Sequence, residues 1–242
     1  MIRFYSPDIK ETHRLPQDES GHCVRVLRMR EGATIQTIDG CGNLYECRIT
    51  NADPRGVELE ILQSSPLLRN WINRLTIAVA PTKNADRMEW LVEKAVEMGV
   101  DEIVLLRCEH SERKVMKLDR LQRIMVSAMK QSLKAAMPIL RGPVDIKSFL
   151  GESHDDSVCK VMGYCSPQVE RRDLGCVYTG KSDLIIMIGP EGDFSPEEVS
   201  DAMSACYVPV TFGTSRLRTE TAAMYGVAAF HVIENLKSNC NE

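Results

Sequence analysis

The 242-residue chain is predicted to be an α/β protein that begins with a small β-rich domain. Up to about residue 65, short β-rich segments are separated by turn residues. Further on, apolar strands alternate with longer helices, a pattern typical of a mainly parallel sheet. Two of these later strands run directly into loops that contain glycine. The ends of buried strands are where α/β domains bind their ligands, so a site is expected there.

The β-rich part is predicted to contain five short strands. Turn signals separate them at Asp39-Gly40-Cys41-Gly42-Asn43 and at Asp53-Pro54-Arg55-Gly56. Several short strands joined by tight turns favour a small barrel. A linker is predicted at residues 63–74, which contain Ser64-Ser65-Pro66. The strands are predicted at residues 2–5, 23–27, 34–38, 44–49 and 57–62.

The later part is predicted to alternate strands and helices. A helix over residues 85–98 has apolar side chains every three or four positions and stops before Gly99. The motif Ser195-Pro196-Glu197-Glu198 predicts a capping box at the start of another helix. Further helices are predicted at residues 118–137 and 220–237, and strands at 75–80, 103–106 and 158–164.

The composition limits the possible functions. Thirty Lys and Arg against 34 Asp and Glu give a net charge of −4, so nucleic-acid binding would need a local basic patch. Residues 107–134 contain eight basic and three acidic side chains, which fits either a solvated face or a phosphate-binding surface. Nine cysteines, with no C-x-x-C pair, indicate reduced thiols in a cytosolic protein and no metal site. No apolar run is long enough to cross a membrane.

The two glycine loops carry most of the chemical information. Residues 184–199 read LIIMIGPEGDFSPEEV, which is neither a P-loop nor a G-x-G-x-x-G motif, so a nucleotide site is unsupported. By itself this loop is equally consistent with a tight strand-to-helix turn. Residues 210–223 read VTFGTSRLRTETAA and place Arg216, Arg218 and Glu220 within five positions. These charges fit either a substrate site or a solvated salt bridge.

These two loops closely resemble those of the bacterial 16S rRNA (uracil-N3)-methyltransferases, members of the SPOUT superfamily of α/β-knot methyltransferases. Three further segments are similar to the same family: 22–32 (HCVRVLRMREG), 93–100 (EKAVEMGV) and 130–138 (KQSLKAAMP). The resemblance implies a PUA-like β-barrel for RNA binding over residues 1–68 and a SPOUT trefoil-knot methyltransferase domain over residues 72–242. It also implies an enzyme that uses S-adenosylmethionine to methylate N3 of a uridine, with 16S rRNA or the small ribosomal subunit as its partner. The same resemblance implies a cytoplasmic homodimer that does not bind a membrane.

The local charges, the chemistry of the reaction and the resemblance together suggest roles for individual residues. Glu220 is the candidate base for the uridine N3 proton, with Glu191 as the second choice, and Arg218 is the candidate for stabilising charge on the uracil. Basic side chains in both parts of the chain are candidates for binding RNA: Arg3, Arg25, Arg28, Arg113, Lys114 and Lys117. The candidate cofactor-binding residues are Met162, Gly163, Tyr164, Ile188, Gly189, Glu191, Gly192, Phe212, Gly213, Ser215, Leu217, Arg218 and Thr219.

The chain departs from the family pattern at three places. Asp193 stands where a second glycine is usual, Ser215-Arg216 precede Leu217 where Arg followed by Ile or Val is common, and Lys134 stands where Arg is expected. Two other functions remain open at this point. One is a knot methyltransferase that acts on tRNA or on a ribose hydroxyl, and the other is a non-catalytic RNA-binding assembly factor.

Overall fold

The computed structural model describes residues 2–113, 115–167 and 169–239, which divide into two compact units. The first unit comprises residues 1–70 and 125–137, and the second comprises residues 71–124 and 138–242. The division falls within helix α4 (Leu118–Gln131). The sequence analysis assigns residues 125–137 to the second domain, but in the structure this segment clusters with the first unit. There Lys130 forms an ion pair with the buried Glu19, and Gly42 N–H donates to the Ala135 carbonyl at 3.0 Å.

The first unit is built on a four-stranded sheet in the order β1-β2-β3-β4. Only β1 and β2 pair in parallel; the other neighbours are antiparallel. One face covers an apolar core that includes Phe4, Tyr45 and Ile49. The strands are β1 (Arg3–Tyr5), β2 (Thr34–Ile38), β3 (Asn43–Asn51) and β4 (Glu58–Pro66), with short helices α1 (Ile9–Thr12) and α2 (Gln17–Gly21) between β1 and β2.

Two sequence predictions for this unit are wrong. The segment predicted as a strand at residues 23–27 is a π-helical turn, His22–Val26, which continues from α2. Cys23 packs into the core and Val24 packs against it, whereas Arg25 and Val26 are exposed, so the apolar residues at 23 and 24 reflect packing and not strand pairing. The predicted linker begins too early, because β4 continues to Pro66.

The second unit contains a seven-stranded sheet whose pairs are all parallel, in the order β7-β6-β5-β10-β8-β11-β9. This confirms the predicted fold class of a mainly parallel α/β domain. β5 and β10 are buried at every position, as expected for central strands with helices on both faces. The strands are β5 (Leu75–Val79), β6 (Glu102–Arg107), β7 (Ile139–Asp145), β8 (Cys159–Gly163), β9 (Arg172–Asp173), β10 (Leu184–Ile188) and β11 (Val208–Thr211).

The helices of this unit follow local signals in the sequence. The Asn84 side chain accepts a hydrogen bond from Asp86 N–H at the start of α3 (Ala85–Met98). The helix stops before Gly99, whose φ is 115°. α4 ends six residues earlier than predicted, and Leu133 then adopts a left-handed φ of 58°. The remaining helices are α5 (Ile146–Leu150), α6 (Leu174–Val177), α7 (Pro196–Ser204) and α8 (Thr219–Asn239).

Within the described ranges, no helix is both long and apolar enough to cross a membrane.

Candidate functional site

The loops that follow β10, β8 and β11 surround a cavity of about 1010 Å³. These strands are neighbours in the parallel sheet, so their carboxyl ends lie at the same edge. A cavity of this size suits a small-molecule ligand. The walls are formed by residues 163–167, 171, 173, 188–191, 193, 210–219 and 222, all of them in the second unit.

The first glycine loop is held by contacts to two other segments. Glu191 Oε1 accepts a hydrogen bond from Lys83 N–H at 3.0 Å, and the Thr219 hydroxyl donates to the Gly189 carbonyl at 3.1 Å. Gly189 does not have a positive φ. A methyl group added there would instead lie 3.1 Å from the Phe194 ring, so any larger residue would crowd this ring, and backbone conformation does not require glycine here.

The predicted capping box is confirmed at the start of α7. Ser195 Oγ accepts from Glu198 N–H at 3.3 Å, and Glu198 Oε2 accepts from Ser195 N–H at 2.8 Å. The other oxygen of the buried Glu198 accepts from Glu109 N–H at 2.7 Å. The Glu198 carboxylate therefore links the end of the first glycine loop to the segment after β6.

The second glycine loop leaves its backbone open. Gly213 has a φ of 99°, a region that favours glycine, and a methyl group added there would have no neighbour within 4 Å. The Thr211 hydroxyl donates to the Gly213 carbonyl at 2.7 Å and holds the turn. A ligand can therefore approach this backbone closely, which fits the prediction of Gly213 as a cofactor-binding residue.

The start of α8 separates the two proposed catalytic side chains. Thr219 and Ala222 line the cavity, and the exposed Arg218 does so just before the helix. Glu220 is not part of the wall, because successive helical residues point about 100° apart. Its side chain is only 9% exposed, and its Oε1 lies 3.6 Å from Arg87 Nε on α3. Among the described residues, Glu220 Oε2 has no hydrogen-bond partner.

Most of the predicted cofactor residues meet at this cavity, and two do not. Met162 is fully buried in the apolar core, because side chains alternate along β8 and its neighbour Gly163 faces the cavity. Gly192 is exposed and lies outside the wall. The predicted residues that line the cavity are Gly163, Tyr164, Ile188, Gly189, Glu191, Phe212, Gly213, Ser215, Leu217, Arg218 and Thr219.

Sequence reasoning missed several wall residues. Cys165, Arg171 and Asp173 come from the segment after β8, which carries no motif. The sequence offers one signal for them, which is that the segment directly follows the strand predicted at residues 158–164. In the part of the chain that the structure describes, no group of three or more His, Cys, Asp or Glu side chains could hold a metal ion.

The candidate RNA-binding residues have different surroundings. Arg25 and Arg28 are exposed on and just after the π-helical turn, and Lys117 is exposed before α4. Arg3 donates to the Leu133 carbonyl. Arg113 donates to the carbonyls of Thr82 and Lys83, at 3.2 Å and 2.6 Å, and so holds the loop after β5. Lys114 lies outside the described residues.

Comparison with known families gives two matches in this chain. The RNA methyltransferase domain matches residues 69–231, and the RNA methyltransferase PUA domain matches residues 15–62. The first covers more than half of the chain.

Solved structures and curated relatives agree with these matches. A probable rRNA methyltransferase from Porphyromonas gingivalis shares 42% identity and a TM-score of 0.94, covering 98% of this chain and all of that one. Ribosomal RNA small subunit methyltransferase E from Neisseria gonorrhoeae, solved with bound S-adenosylmethionine, shares 27% identity and a TM-score of 0.84, covering 96% and 98%. Ribosomal RNA small subunit methyltransferase E from Mycobacterium bovis is 28% identical, covering 94% of this chain and 88% of its own.

Proposed function

The chain belongs to the RNA methyltransferase domain family, and on that premise we propose that it methylates N3 of a uridine in 16S rRNA with S-adenosylmethionine as the methyl donor. The observation that carries the proposal is the cavity at the ends of β10, β8 and β11, which joins both glycine loops of the family pattern. Relatives named as small-subunit rRNA methyltransferases, one of them with S-adenosylmethionine bound, support the substrate and the cofactor.

The wall residues fit this cofactor chemically. Ile188, Val210, Phe212 and Leu217 provide apolar surface for an adenine ring, and the open backbone at Gly213 allows close approach. Carboxylates and guanidinium groups also line the cavity, which suits a ligand with both positive and negative groups: Glu191, Asp193, Asp173, Arg171, Arg216 and Arg218. When bound, S-adenosylmethionine supplies an electrophilic methyl group on its sulfonium.

The protein must then position the uracil and manage one proton. Uridine N3 carries a proton at neutral pH, so it becomes a good nucleophile only as that proton leaves. Arg218 is exposed at the cavity and can stabilise negative charge on the uracil oxygens through its planar fork of donors. N3 lies on the pairing edge of the base, so the target uridine must be unpaired or turned out of its helix.

Glu220 is the proposed acceptor of the N3 proton. A buried carboxylate oxygen without a hydrogen bond is costly, and N3–H is a donor that would satisfy Glu220 Oε2. Since this oxygen is enclosed, the uracil reaches it only after neighbouring side chains move. Glu191 is the second candidate, because it lines the cavity and its Oε2 is not used by Lys83 N–H.

Arg25 and Arg28 of the first unit are proposed to bind rRNA phosphates, and Lys117 of the second unit is proposed to do the same. The first unit matches an RNA methyltransferase PUA domain, and Arg25 and Arg28 are exposed on it. Phosphate contacts by such side chains give affinity that falls with salt.

We also propose that the enzyme is a homodimer. α3 packs against α8, and both helices leave large apolar side chains exposed. On α8 these are Tyr225, Val232 and Leu236, which follow the spacing of a single helix face. Tyr225 contacts the cavity-lining Phe212, with ring centroids 5.4 Å apart, so the proposed interface adjoins the cofactor site. Trp90 and Met98 are the exposed apolar residues of α3.

The direct test is methyl transfer from labelled S-adenosylmethionine to small ribosomal subunits, naked 16S rRNA and tRNA, followed by mass spectrometry of the nucleosides. The proposal predicts 3-methyluridine in the ribosomal RNA. A methylated tRNA or a 2′-O-methylated ribose would instead indicate the other knot-methyltransferase function. Binding to rRNA without any transfer would indicate an assembly factor.

A further inference from the structure

The loop after β8 is held from both sides by ionised side chains. Asp193 Oδ2 accepts a hydrogen bond from Cys165 N–H at 3.1 Å. Arg171 Nη1 donates to the carbonyls of Tyr164 and Cys165, at 3.2 Å and 3.0 Å. Both backbone polar groups of Cys165 are thus bonded to side chains of opposite charge instead of to other backbone groups. Hydrogen bonds with an ionised partner are stronger than neutral ones, so this short stretch is firmly fixed.

The backbone conformation of Asp193 points to a role for its side chain. Its φ is 64°, in the left-handed region where glycine is tolerated without strain and Asp only at some cost. Glycine would adopt this conformation without strain, so the backbone alone gives no reason for an aspartate here. The carboxylate uses both oxygens, since Oδ1 accepts from Phe194 N–H at 2.9 Å. The strained backbone therefore carries a side chain that joins two loops.

Both charged residues belong to the cavity wall, together with the segment that they hold. Asp193, Arg171, Tyr164 and Cys165 all line the cavity. The segment has one further tie to the sheet, because Tyr164 N–H donates to the Val210 carbonyl at 3.2 Å. The Tyr164 side chain is also buried in the apolar core, so removing the two charged side chains would release mainly Cys165, which would lose both of its backbone hydrogen bonds.

We propose that Asp193 and Arg171 are positioning residues that clamp the Tyr164–Cys165 segment and so keep the cofactor cavity formed before the cofactor enters. The identity of that cofactor rests on the proposed function, whereas the clamp itself does not. Fixing one or two residues on binding costs enough conformational entropy to lower affinity about 10- to 100-fold. A wall that is already fixed avoids this loss, so the clamp acts on cofactor affinity.

The decisive variant is Asp193→Gly, because glycine accepts the positive φ but removes the carboxylate. We expect its melting temperature to stay close to that of the wild type, because relief of the positive-φ strain offsets the two lost hydrogen bonds, while S-adenosylmethionine affinity, measured by calorimetry, falls about 10- to 100-fold. Arg171→Ala should weaken binding similarly. Arg172→Ala is the matched control, since this neighbouring arginine is exposed, lies outside the cavity wall and donates from its guanidinium to the Cys176 carbonyl at 3.3 Å.

A second readout needs no cofactor. Partial burial and the nearby Asp193 carboxylate raise the pKa of the Cys165 thiol, against the opposing effect of the Arg216 and Arg171 guanidinium groups. Arg171→Ala releases the same loop but removes a charge that favours the thiolate, so faster iodoacetamide labelling of Cys165 in this variant, followed on its peptide by mass spectrometry, can come only from release of the loop.

The two readouts separate the clamp from the proposed function. If Asp193→Gly binds S-adenosylmethionine within twofold of the wild type, or if Arg171→Ala labels Cys165 at the wild-type rate, the clamp is refuted. If the wild type binds no S-adenosylmethionine but Arg171→Ala still labels Cys165 faster, the proposed cofactor is wrong and the clamp stands.

Discussion

The role of Glu220 can be tested by replacing it with glutamine, which keeps its size but cannot accept the uridine N3 proton. If Glu220 is the base, methyl transfer should fall roughly 10²- to 10⁴-fold, the usual span for loss of a general base. Cofactor binding should be retained, because Glu220 is not part of the cavity wall. Raising the pH should partly restore the rate, since solvent then removes more of the uridine proton.

The competing explanation is that Glu220 only forms an ion pair with Arg87. The spacing and exposure of the two side chains indicate how much this pair contributes to stability. The Arg87 side chain is 38% exposed, so it stays hydrated when its partner is neutral, and losing the 3.6 Å contact should cost about 1 kcal/mol. For a chain of this length that corresponds to a melting temperature lower by roughly 2–4 °C. A structural role therefore changes stability slightly and leaves the rate nearly unchanged.

The assay is single-turnover transfer from labelled S-adenosylmethionine to small ribosomal subunits, with Arg87→Met as the matched variant. Arg87→Met removes the same ion pair but keeps the carboxylate. A catalytic Glu220 predicts a large loss for Glu220→Gln and a loss of less than about tenfold for Arg87→Met. Transfer by Glu220→Gln at the wild-type rate would refute the reasoning and move the search for the base to Glu191.

Four further outcomes are expected. Gly213→Val should abolish S-adenosylmethionine binding in calorimetry with an unchanged circular dichroism spectrum, because a β-branched residue cannot adopt a φ of 99°. Gly163→Ala should weaken binding, since its new methyl group would lie 2.8 Å from the Phe212 ring; normal affinity would show that the ring moves freely. Lys117→Ala should reduce the slope of log affinity for rRNA against log salt by roughly one unit. Val232→Asp should give monomers in light scattering, and a persistent dimer would place the interface elsewhere.

The sequence predicts the elements whose signals are local. The limits of α3 and the capping box at Ser195 follow from neighbouring residues, and the structure confirms both. The segment at residues 23–27 fails for the opposite reason. Its apolar and β-branched side chains satisfy a strand pattern, but Cys23 is buried by residues far along the chain, and tertiary packing makes the segment a π-helical turn.

The features of the candidate site also divide into those with a local signal in the sequence and those without one. Both glycine loops are visible in the sequence because the residues that define each loop are consecutive. The link between Asp193 and Cys165 spans 28 positions, and that between Arg87 and Glu220 spans more, so neither leaves a motif. Glu220 points away from the cavity because of where α8 begins. A shift of the helix start by one residue would change this direction, and a sequence pattern does not locate a helix end that closely.

The order of strands in the second sheet limits when the enzyme can become active during synthesis. β8 lies between β10 and β11, both of which come later in the chain, whereas β5, β6 and β7 pair in sequence. A growing chain can therefore assemble one half of the sheet early, but β8 must wait for partners that have not yet been made. Such long-range parallel pairing is slow. The cofactor cannot assist these early steps. Residues 210–219 and 222 form one side of the proposed cofactor cavity, and they are made only when β11 and the first turn of α8 have been synthesised.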